Sequence, residues 1–181
     1  RVTMIRAPTP VLYVEDNPHD ADLVRRALLR SVPPPEHVEV ATSLAAARAA
    51  LAEPLRFDLV ITDLGLPDGH GMDLVADIRQ RRLPLAVVVL TSQGDEGVVV
   101  AALKAGANDY LPKADDLADR VAGTLRSALA AFRADSARHA QPLRVLYVEH
   151  NTSDVDLTQR HLAAHAAHIQ LEWAQNAAAA L

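Results

Sequence analysis

The sequence predicts an α/β protein in which a doubly wound parallel sheet is covered by helices on both faces. Between positions 11 and 132, short apolar runs alternate with amphipathic segments five times. This alternation is typical of parallel strands joined by right-handed crossovers, because each helix returns the chain to the same end of the sheet. Polar or charged residues also follow most of the apolar runs, and such sheets bind ligands beyond the carboxyl ends of their strands.

The first strand and helix are predicted from a short apolar run and a helical repeat. Residues 11–14 form the apolar run, and an acidic loop that contains a proline follows them. This length and boundary are expected of a buried strand. Leu23, Ala27 and Leu28 then recur at helical spacing, and we expect the prolines at 33–35 to end that helix.

The later elements follow from the same two patterns. Val38 and Val40 alternate with polar residues as in a half-buried strand, and Ser43 is a residue type that caps helices, here the one predicted at 44–51. The remaining predicted elements are a strand at 57–62 that leads to Asp63, a loop at 67–71, a helix through Met72, Val75, Ala76 and Arg79, a strand at 86–90, a helix at 96–105, a strand at 109–111, and a final helix with the apolar stripe Leu117, Val121, Leu125, Leu129 and Phe132.

The composition of the chain excludes several classes of function. With 181 residues, 50% of them hydrophobic, the chain can close one ordinary core, and the remainder is too short for a second full domain. The net charge of -5 argues against a nucleic-acid surface, which needs clustered Lys and Arg. The absence of cysteine excludes disulfides and thiolate metal sites.

The same survey of the sequence favours a location away from membranes. The apolar run at 85–90 is far too short to span a bilayer, and the first residues lack the pattern of a signal peptide. We therefore expect a soluble, cytoplasmic protein. Because the chain starts at Arg1 and shows no recognisable C-terminal ending, we also expect it to be a piece of a longer protein.

Polar side chains follow four of the predicted strands and would lie on one edge of the sheet. Any one of them alone is more often a loop or capping residue, so their convergence from separate strands is the informative feature. They are Glu15 and Asp16 after the first strand, Asp63 after the third, Thr91 and Ser92 after the fourth, and Lys113 after the fifth.

These residue types suit phosphoryl chemistry with a magnesium ion. Three carboxylates brought together repel one another unless a cation lies among them, and Mg²⁺ takes oxygen ligands and keeps several waters. A carboxylate beside Mg²⁺ and a lysine can attack a phosphoryl group, since that transfer needs positioning and charge neutralisation. Lys113 and Lys104 are the two lysines in an arginine-rich chain, and the compact ammonium of Lys113 suits a point contact to a phosphoryl oxygen.

Four stretches resemble the receiver domain of bacterial two-component response regulators: VLYVEDN at 11–17, ITDLGLPDGHG at 61–71, VVVLTSQGDE at 87–96 and GANDYLPK at 106–113. The resemblance implies a flavodoxin-like (βα)5 fold with strand order 2-1-3-4-5. It also implies that the chain accepts a phosphoryl group from a histidine kinase or a histidine phosphotransfer protein. Such a chain is not an enzyme, beyond catalysing its own phosphorylation and dephosphorylation.

The resemblance assigns roles to individual residues. These are Asp63 as the phosphoacceptor, Glu15 and Asp16 as the acidic pair around Mg²⁺, Gly65 as the residue that lends its carbonyl to the metal, Thr91 as the switch hydroxyl, Lys113 as the site lysine, and Tyr110 as the aromatic that rotates inward on activation. Phosphorylation would then repack the surface of the fourth helix, fifth strand and fifth helix. A homodimer through that surface, or through the partial second domain described below, is compatible with the resemblance.

Two positions depart from the family pattern. The family commonly has a proline in a cis peptide directly after the lysine, whereas Ala114 follows Lys113 here and Pro112 precedes it. A cis bond before a residue other than proline costs about 3 kcal/mol, so we expect a trans bond and a different loop path. Gly65 also lacks a side chain at the position that, by analogy with the family, tunes dephosphorylation.

The opening of this pattern occurs twice. VLYVEHN at 145–151 repeats VLYVEDN, and the match continues at Asn151, Asp154, Asp156, Leu157, Arg160 and Leu162, and then at 171–174. We therefore expect an N-terminal extension at 1–10, a receiver domain at 11–135, a linker at 136–144, and the truncated start of a second receiver-like domain at 145–181. That start could be partly disordered, packed on the first domain or exchanged with another copy.

Histidine distinguishes the second copy from the first. His150 replaces Asp16, and imidazole is a poor ligand for Mg²⁺, so we expect a weakened metal site in a module that is not phosphorylated. A chance substitution at a tolerant position is the alternative. His161, His165 and His168 fall at helical spacing, but no carboxylate joins them at that spacing, which disfavours a metal site.

Two other function classes remain open from sequence. The first copy could be an interaction module with a vestigial site, against which the intact acidic residues, Thr91 and Lys113 argue. It could also be an aspartyl-phosphate hydrolase, but those phosphatases usually carry a second Asp two residues after the nucleophile, where this chain has Gly65.

Overall fold

The computed structural model of the protein describes residues 9–53, 55–92, 96–140, 143–166 and 169–179. The chain divides into two compact units, residues 1–132 and 133–181. In the described part of the chain, no helix has the length and apolarity needed to cross a lipid bilayer.

The first unit is built on a five-stranded parallel sheet. Its strands are β1 (Val11–Val14), β2 (Val38–Ala41), β3 (Leu59–Asp63), β4 (Ala86–Thr91) and β5 (Asp109–Pro112), in the spatial order β2-β1-β3-β4-β5. The helices are α1 (Pro18–Leu29), α2 (Leu44–Ala50), α3 (Gly71–Gln80), α4 (Glu96–Lys104) and α5 (Leu117–Ala140). The predicted fold class and the strand order 2-1-3-4-5 are confirmed.

Each face of the sheet has its own core. Val11 and Tyr13 pack in the core beneath α1 and α5, whereas Leu12 and Val14 pack in the core beneath α2, α3 and α4. This division follows from the alternation of side chains along a strand. All six residues of β4 are buried, as expected for a strand covered on both faces.

The first helix differs from its prediction in the face it buries. The buried residues of α1 include Ala21, Val24 and Leu28, whereas Leu23 is 41% exposed. Leu23 is one position, or about 100°, away from Val24 around the helix, so it points away from the sheet. The helix also ends at Leu29, before the prolines at 33–35 that were expected to end it.

The segment after β3 is more regular than the predicted loop. Gly65–Leu66 and Gly69–His70 pair as a small antiparallel hairpin, and α3 already begins at Gly71. The turn of this hairpin places Asp68 at the start of α2. Asp68 accepts hydrogen bonds from the backbone N–H of Leu44 at 2.7 Å and of Ala45 at 2.8 Å. Two orphan donors of the helix terminus are thereby satisfied.

The N-terminus of α2 therefore has two caps. The Ser43 hydroxyl accepts from the backbone N–H of Ala46 at 3.0 Å, as predicted for an N-cap residue. Asp68, which sequence reasoning did not select, adds the second. The hydrogen bonds from Ala45 and Leu44 lower the pKa of Asp68 below its ordinary value.

Replacing Asp68 by alanine is expected to lower the melting temperature at pH 7, because α2 loses its second cap. A carboxylate with a lowered folded-state pKa stabilises the fold above its unfolded pKa of about 3.9, and this contribution disappears as the pH falls through the folded-state pKa. The difference in melting temperature between wild type and Asp68→Ala is therefore expected to shrink in the most acidic solutions. Thermal unfolding followed by circular dichroism tests this, with Asp115→Ala as the control. A difference that is independent of pH would contradict the cap.

The second unit contains a β-α-β arrangement. Strand β6 (Leu143–Val148) pairs in parallel with β7 (Ile169–Ala174), and helix α6 (Thr152–His165) connects them. A short 3-10 helix follows at Ala177–Ala179. Asn151 caps α6 by accepting from the backbone N–H of Ser153, just as Asn17 caps α1 by accepting from that of His19. The predicted partial β-α-β unit is therefore present.

Candidate functional site

Three carboxylates meet at the carboxyl ends of β1 and β3. Ligand oxygens of Glu15, Asp16 and Asp63 all lie within 4.8 Å of one another. The parallel register aligns Val14 with Thr62, so the residues that follow them emerge side by side. Glu15 and Asp63 are buried and Asp16 is exposed, so the group opens to solvent on one side.

Lys113 joins this group through three hydrogen bonds. Its Nζ donates to Glu15 Oε2 at 2.7 Å, to Asp63 Oδ2 at 2.9 Å and to Asp20 Oδ2 at 3.2 Å. Burial alone would lower the pKa of Lys113, but the hydrogen bonds and negative charges of Glu15 and Asp63 outweigh burial and raise it above its ordinary value. The lysine is therefore a stable ammonium in the middle of the acidic residues.

Asp20 is the residue of this constellation that sequence reasoning missed. It lies in the first turn of α1, whereas the predicted site residues follow strands. The repeat contained a usable signal, because Asp154 occupies the matching position in the second copy. Its carboxylate reaches Lys113, the residue that follows β5.

Glu15 is fixed by protein donors on both of its oxygens. Its Oε1 accepts from the backbone N–H of Asn17 at 3.1 Å, and its Oε2 accepts from the Tyr13 hydroxyl at 3.2 Å as well as from Lys113. Burial, followed by the charge of Glu15 and this hydrogen bond, raises the pKa of Tyr13. The Tyr13 hydroxyl therefore stays protonated and donates a hydrogen bond to Glu15.

The two remaining acids differ in how they are held. Asp63 Oδ1 accepts from the backbone N–H of Leu64 at 2.7 Å, which leaves its Oδ2 facing Lys113. The carboxylate of Asp16 has no hydrogen-bond or ion-pair partner among the described residues. Asp16 is thus the acid of the group that is free to bind a cation.

A glycine lies directly behind Asp63. The backbone N–H of Gly71 donates to the Leu64 carbonyl at 2.9 Å, and a Cβ at Gly71 would lie 2.1 Å from the carbonyl oxygen of Asp63. The first turn of α3 is therefore packed against the backbone of Asp63, with no room for a side chain. Gly65 is the opposite case, because a Cβ there would meet nothing within 4 Å.

Thr91 is connected to the site through the backbone. It is buried at the end of β4, one residue beyond Leu90, which pairs with Asp63. The backbone N–H of Lys113 donates to the Thr91 carbonyl at 2.8 Å. This hydrogen bond joins the end of β4 directly to the backbone of Lys113.

Tyr110 and Ala114 lie at opposite ends of β5. Tyr110 is 37% exposed, so its ring is accessible at the outer strand of the sheet. The peptide bond between Lys113 and Ala114 is trans, as expected. Among the described residues, the cis peptide bond is the one between Val32 and Pro33. The loop then turns tightly, with the backbone N–H of Ala114 donating to the Pro112 carbonyl at 3.0 Å.

The second unit repeats the Glu15–Asn17 contact at the matching positions and adds a histidine beside it. Glu149 Oε1 accepts from the backbone N–H of Asn151 at 2.9 Å and lies 3.0 Å from Nδ1 of His150. The rings of His161 and His165 stack with their centroids 4.5 Å apart, and His168 lies outside the described residues. In the described part of the chain, these histidines do not belong to a group of metal-ligand type.

Comparison with known proteins agrees with this geometry. Residues 11–122 match the family model of the response regulator receiver domain. Response regulator protein PilR of Pseudomonas aeruginosa is 40% identical over 120 residues, covering 66% of this chain and 25% of PilR. Transcriptional regulatory protein KdpE of Mycobacterium tuberculosis is 33% identical over 168 residues, covering 91% of this chain and 70% of KdpE.

Solved structures show the same fold. The signal receiver domain of a putative LuxO repressor protein from Vibrio parahaemolyticus superposes with a TM-score of 0.64 at 26% identity, over 73% of this chain and 97% of that domain. The Mn²⁺-bound form of response regulator Rcp1 gives a TM-score of 0.57 at 33% identity, over 64% of this chain and 91% of Rcp1.

The match covers more of this chain than of some relatives. The chain spans 25% of the length of PilR and 62% of that of the photosynthetic apparatus regulatory protein RegA from Rhodovulum sulfidophilum. The family model nevertheless matches most of the first unit, over a range that contains Glu15, Asp16, Asp63 and Lys113. The chain belongs to the response regulator receiver domain family of two-component signalling.

Proposed function

We propose that the first unit accepts a phosphoryl group on Asp63 from a histidine kinase or a histidine phosphotransfer protein, with Mg²⁺ as cofactor. The observation that supports this most strongly is the ammonium of Lys113, which lies 2.9 Å from Asp63 Oδ2 inside a group of four acids. A carboxylate beside a fixed cation can receive a phosphoryl group whose negative charge the cation then neutralises.

The donor set fits a magnesium ion. Asp16 and Asp63 offer carboxylate oxygens, and Gly65 would add its backbone carbonyl, as in the family pattern. Glu15 is already held by Tyr13, Asn17 and Lys113, so it acts on the ion mainly through its charge. Hard oxygen ligands with room for water are what Mg²⁺ requires, and the ion would supply neutralisation of charge on the phosphoryl oxygens. The Mn²⁺-bound structure of Rcp1, 33% identical to this chain, supports the same assignment.

The reaction needs little from the protein beyond positioning. A carboxylate oxygen of Asp63 attacks the phosphorus of a phosphohistidine, a P–O bond forms, and the P–N bond breaks. The electron pair of that bond stays on the imidazole nitrogen, which binds a proton from solvent. Lys113 compensates the charge of the transferred group, while the backbone N–H of Leu64 holds Asp63 Oδ1 in place.

The signal would leave the site through Thr91 and Tyr110. A phosphoryl group adds strong acceptor oxygens, which attract the buried Thr91 hydroxyl and Lys113. Movement of Thr91 frees space into which the exposed ring of Tyr110 can turn. The surface formed by α4, β5 and α5 then changes, and its exposed Val100 and Leu103 supply apolar area for a partner or for a homodimer.

Beryllofluoride with Mg²⁺ tests this proposal, because it mimics a phosphoryl group on a carboxylate. Backbone amide NMR is the suitable readout, since it reports on each residue of the first unit, whereas the single tryptophan, Trp173, belongs to the second unit. Wild type is expected to show shifts around Asp63, Thr91 and Tyr110, and Asp63→Asn is expected to show none. If the amide signals of wild type do not shift, the proposal is contradicted, and an interaction module with a vestigial site is favoured.

We also propose that the second unit begins a second receiver-like domain that is not phosphorylated, after a receiver at 11–135 and a linker at 136–144. The repeat of β1-α1-β2 as β6-α6-β7 and the matching caps Asn17 and Asn151 support the first part. The second part is supported by His150, which stands where the cation-binding Asp16 stands in the first copy. A cytoplasmic setting fits both units, since the donors proposed here act on that side of the membrane.

A further inference from the structure

Asp20 is the third carboxylate on Lys113, and the proposed phosphoryl transfer gives it no task. It lies in the first turn of α1, and its Oδ2 is 3.2 Å from the lysine Nζ, the longest of the three contacts. Its side chain is 30% exposed, whereas that of Glu15 is 0% exposed and that of Asp63 is 11% exposed. Asp20 therefore lies at the mouth of the site.

The hydrogen bonds of Lys113 are fully used by these acids. An ammonium has three N–H donors, and Glu15, Asp20 and Asp63 accept one each. A phosphoryl oxygen can therefore gain a hydrogen bond from Lys113 only if an existing acceptor gives way.

Asp20 is the acceptor that gives way at the lowest cost. Releasing Glu15 would leave a fully buried carboxylate without its cation, which is strongly unfavourable. Asp63 gives up its hydrogen bond from Lys113 only when its oxygen forms the P–O bond, which is after the phosphoryl group has been captured. Asp20 is partly in water already, so its carboxylate can exchange the lysine for solvent.

We propose that Asp20 is a positioning residue that acts through Lys113: it holds the ammonium at the mouth of the unphosphorylated site and competes with the incoming phosphoryl group for it. The inference rests on the proposed function. Its consequence is that Asp20 weakens the capture of phosphate-like anions, both by occupying one lysine donor and by adding a negative charge near the bound group.

The test compares Asp20→Asn with a matched control, Asp22→Asn. Both variants remove one negative charge from α1, but Asp22 pairs with Arg26 on the surface and not with Lys113. Beryllofluoride is titrated at saturating Mg²⁺ with amide NMR. Asp20→Asn is expected to bind about fivefold more tightly than wild type, the factor that corresponds to one partly exposed ion pair. Asp22→Asn is expected to stay within about twofold, and Asp20→Glu, which keeps a carboxylate, to return toward wild type.

A second readout observes Lys113 itself. The chain has two lysines, Lys104 and Lys113, so protein labelled with ¹³C at the lysine ε carbon gives two assignable signals. In the absence of metal and at fixed pH, Asp20→Asn is expected to shift the Lys113 signal and to leave the Lys104 signal in place. Asp22→Asn is expected to move neither.

The outcomes separate this inference from the proposed function. The inference is overturned if Asp20→Asn binds beryllofluoride no more tightly than Asp22→Asn does. It is also overturned if the NMR signal of Lys113 does not shift in Asp20→Asn. If wild type binds beryllofluoride and Asp63→Asn abolishes binding, but Asp20→Asn has no effect, the inference alone fails. If wild type does not bind beryllofluoride at all, the proposed function fails and the inference fails with it.

Discussion

Replacing Lys113 by methionine is expected to slow phosphorylation of Asp63 by about a hundredfold or more, the usual effect of removing one fixed group that stabilises developing charge. Methionine keeps the length and most of the volume of the side chain but removes the ammonium. Glu15, Asp20 and Asp63 then lose the ammonium from which each of them accepts a hydrogen bond. The phosphoryl group would enter a site in which every remaining charged side chain is negative.

The same substitution is expected to destabilise the metal-free protein by about 2–4 kcal/mol, because it leaves the buried Glu15 carboxylate without its cation. Mg²⁺ should restore part of this loss, since the ion supplies positive charge to the same acids. The raised pKa of Lys113 means that its stabilising contribution is complete below the unfolded pKa of about 10.4 and disappears only as the pH rises through the higher folded-state value. The contribution of the lysine charge is therefore constant between about pH 6 and 9.

Urea denaturation with and without Mg²⁺ measures the change in stability. The rate of Asp63 phosphorylation is measured with acetyl phosphate as donor, by electrophoresis that separates the phosphorylated protein from the unphosphorylated protein. Lys104→Met is the matched control, because Lys104 is the other lysine of the chain and lies in the last turn of α4. Its stability and phosphorylation rate are expected to match wild type. A Lys113→Met variant that is phosphorylated as fast as Lys104→Met would contradict the role assigned to Lys113.

Sequence reasoning predicted the sheet well because its signals are local. Fully buried runs that end at polar residues mark β1, β3 and β4, and a parallel topology then brings the strand ends together. Asp63 and Lys113 are 50 positions apart in the chain, yet the parallel topology already predicted that they lie on the same edge of the sheet. Leu23 was predicted on the buried face of α1 but is exposed, because a helical repeat does not tell which of two neighbouring positions faces the sheet.

The residues that the sequence did not reveal depend on tertiary geometry. Asp20 and Asp68 belong to a helix turn and a hairpin, and each acts on an element that is distant in sequence: Asp68 accepts from Leu44, 24 positions away, and Asp20 from Lys113, 93 positions away. Helical periodicity and motif spacing do not encode such contacts, and the one signal for Asp20 was its counterpart Asp154 in the repeat. Gly71 is similar, since a glycine in a loop-like stretch is usually interpreted as a turn residue. Glycine is needed at position 71 because the backbone carbonyl of Asp63 lies where a side chain would begin.

Substituting alanine for Gly71 is expected to destabilise the first unit by about 2–3 kcal/mol, in the range of overpacking a closely packed site. The new Cβ would lie 2.1 Å from the carbonyl oxygen of Asp63 and 3.0 Å from Oγ1 of Thr62. Backbone cannot rotate away as a side chain can, so either α3 or the end of β3 must move. Because Thr62 donates to that same carbonyl at 2.9 Å, a shift there displaces the segment that positions the Asp63 carboxylate.

Gly65→Ala is the matched control for stability, since its Cβ would meet nothing within 4 Å, and it is expected to unfold within about 0.5 kcal/mol of wild type. Urea denaturation compares the two variants. Beryllofluoride titration of Gly71→Ala is expected to show affinity at least about tenfold weaker than wild type, because a 1 Å misplacement of a reacting group commonly costs that much or more. Equal stability of the two variants would mean that the backbone yields freely at this point. The carboxylate of Asp63 would then not depend on close packing against α3, and its position would be set by Lys113 and Leu64 alone.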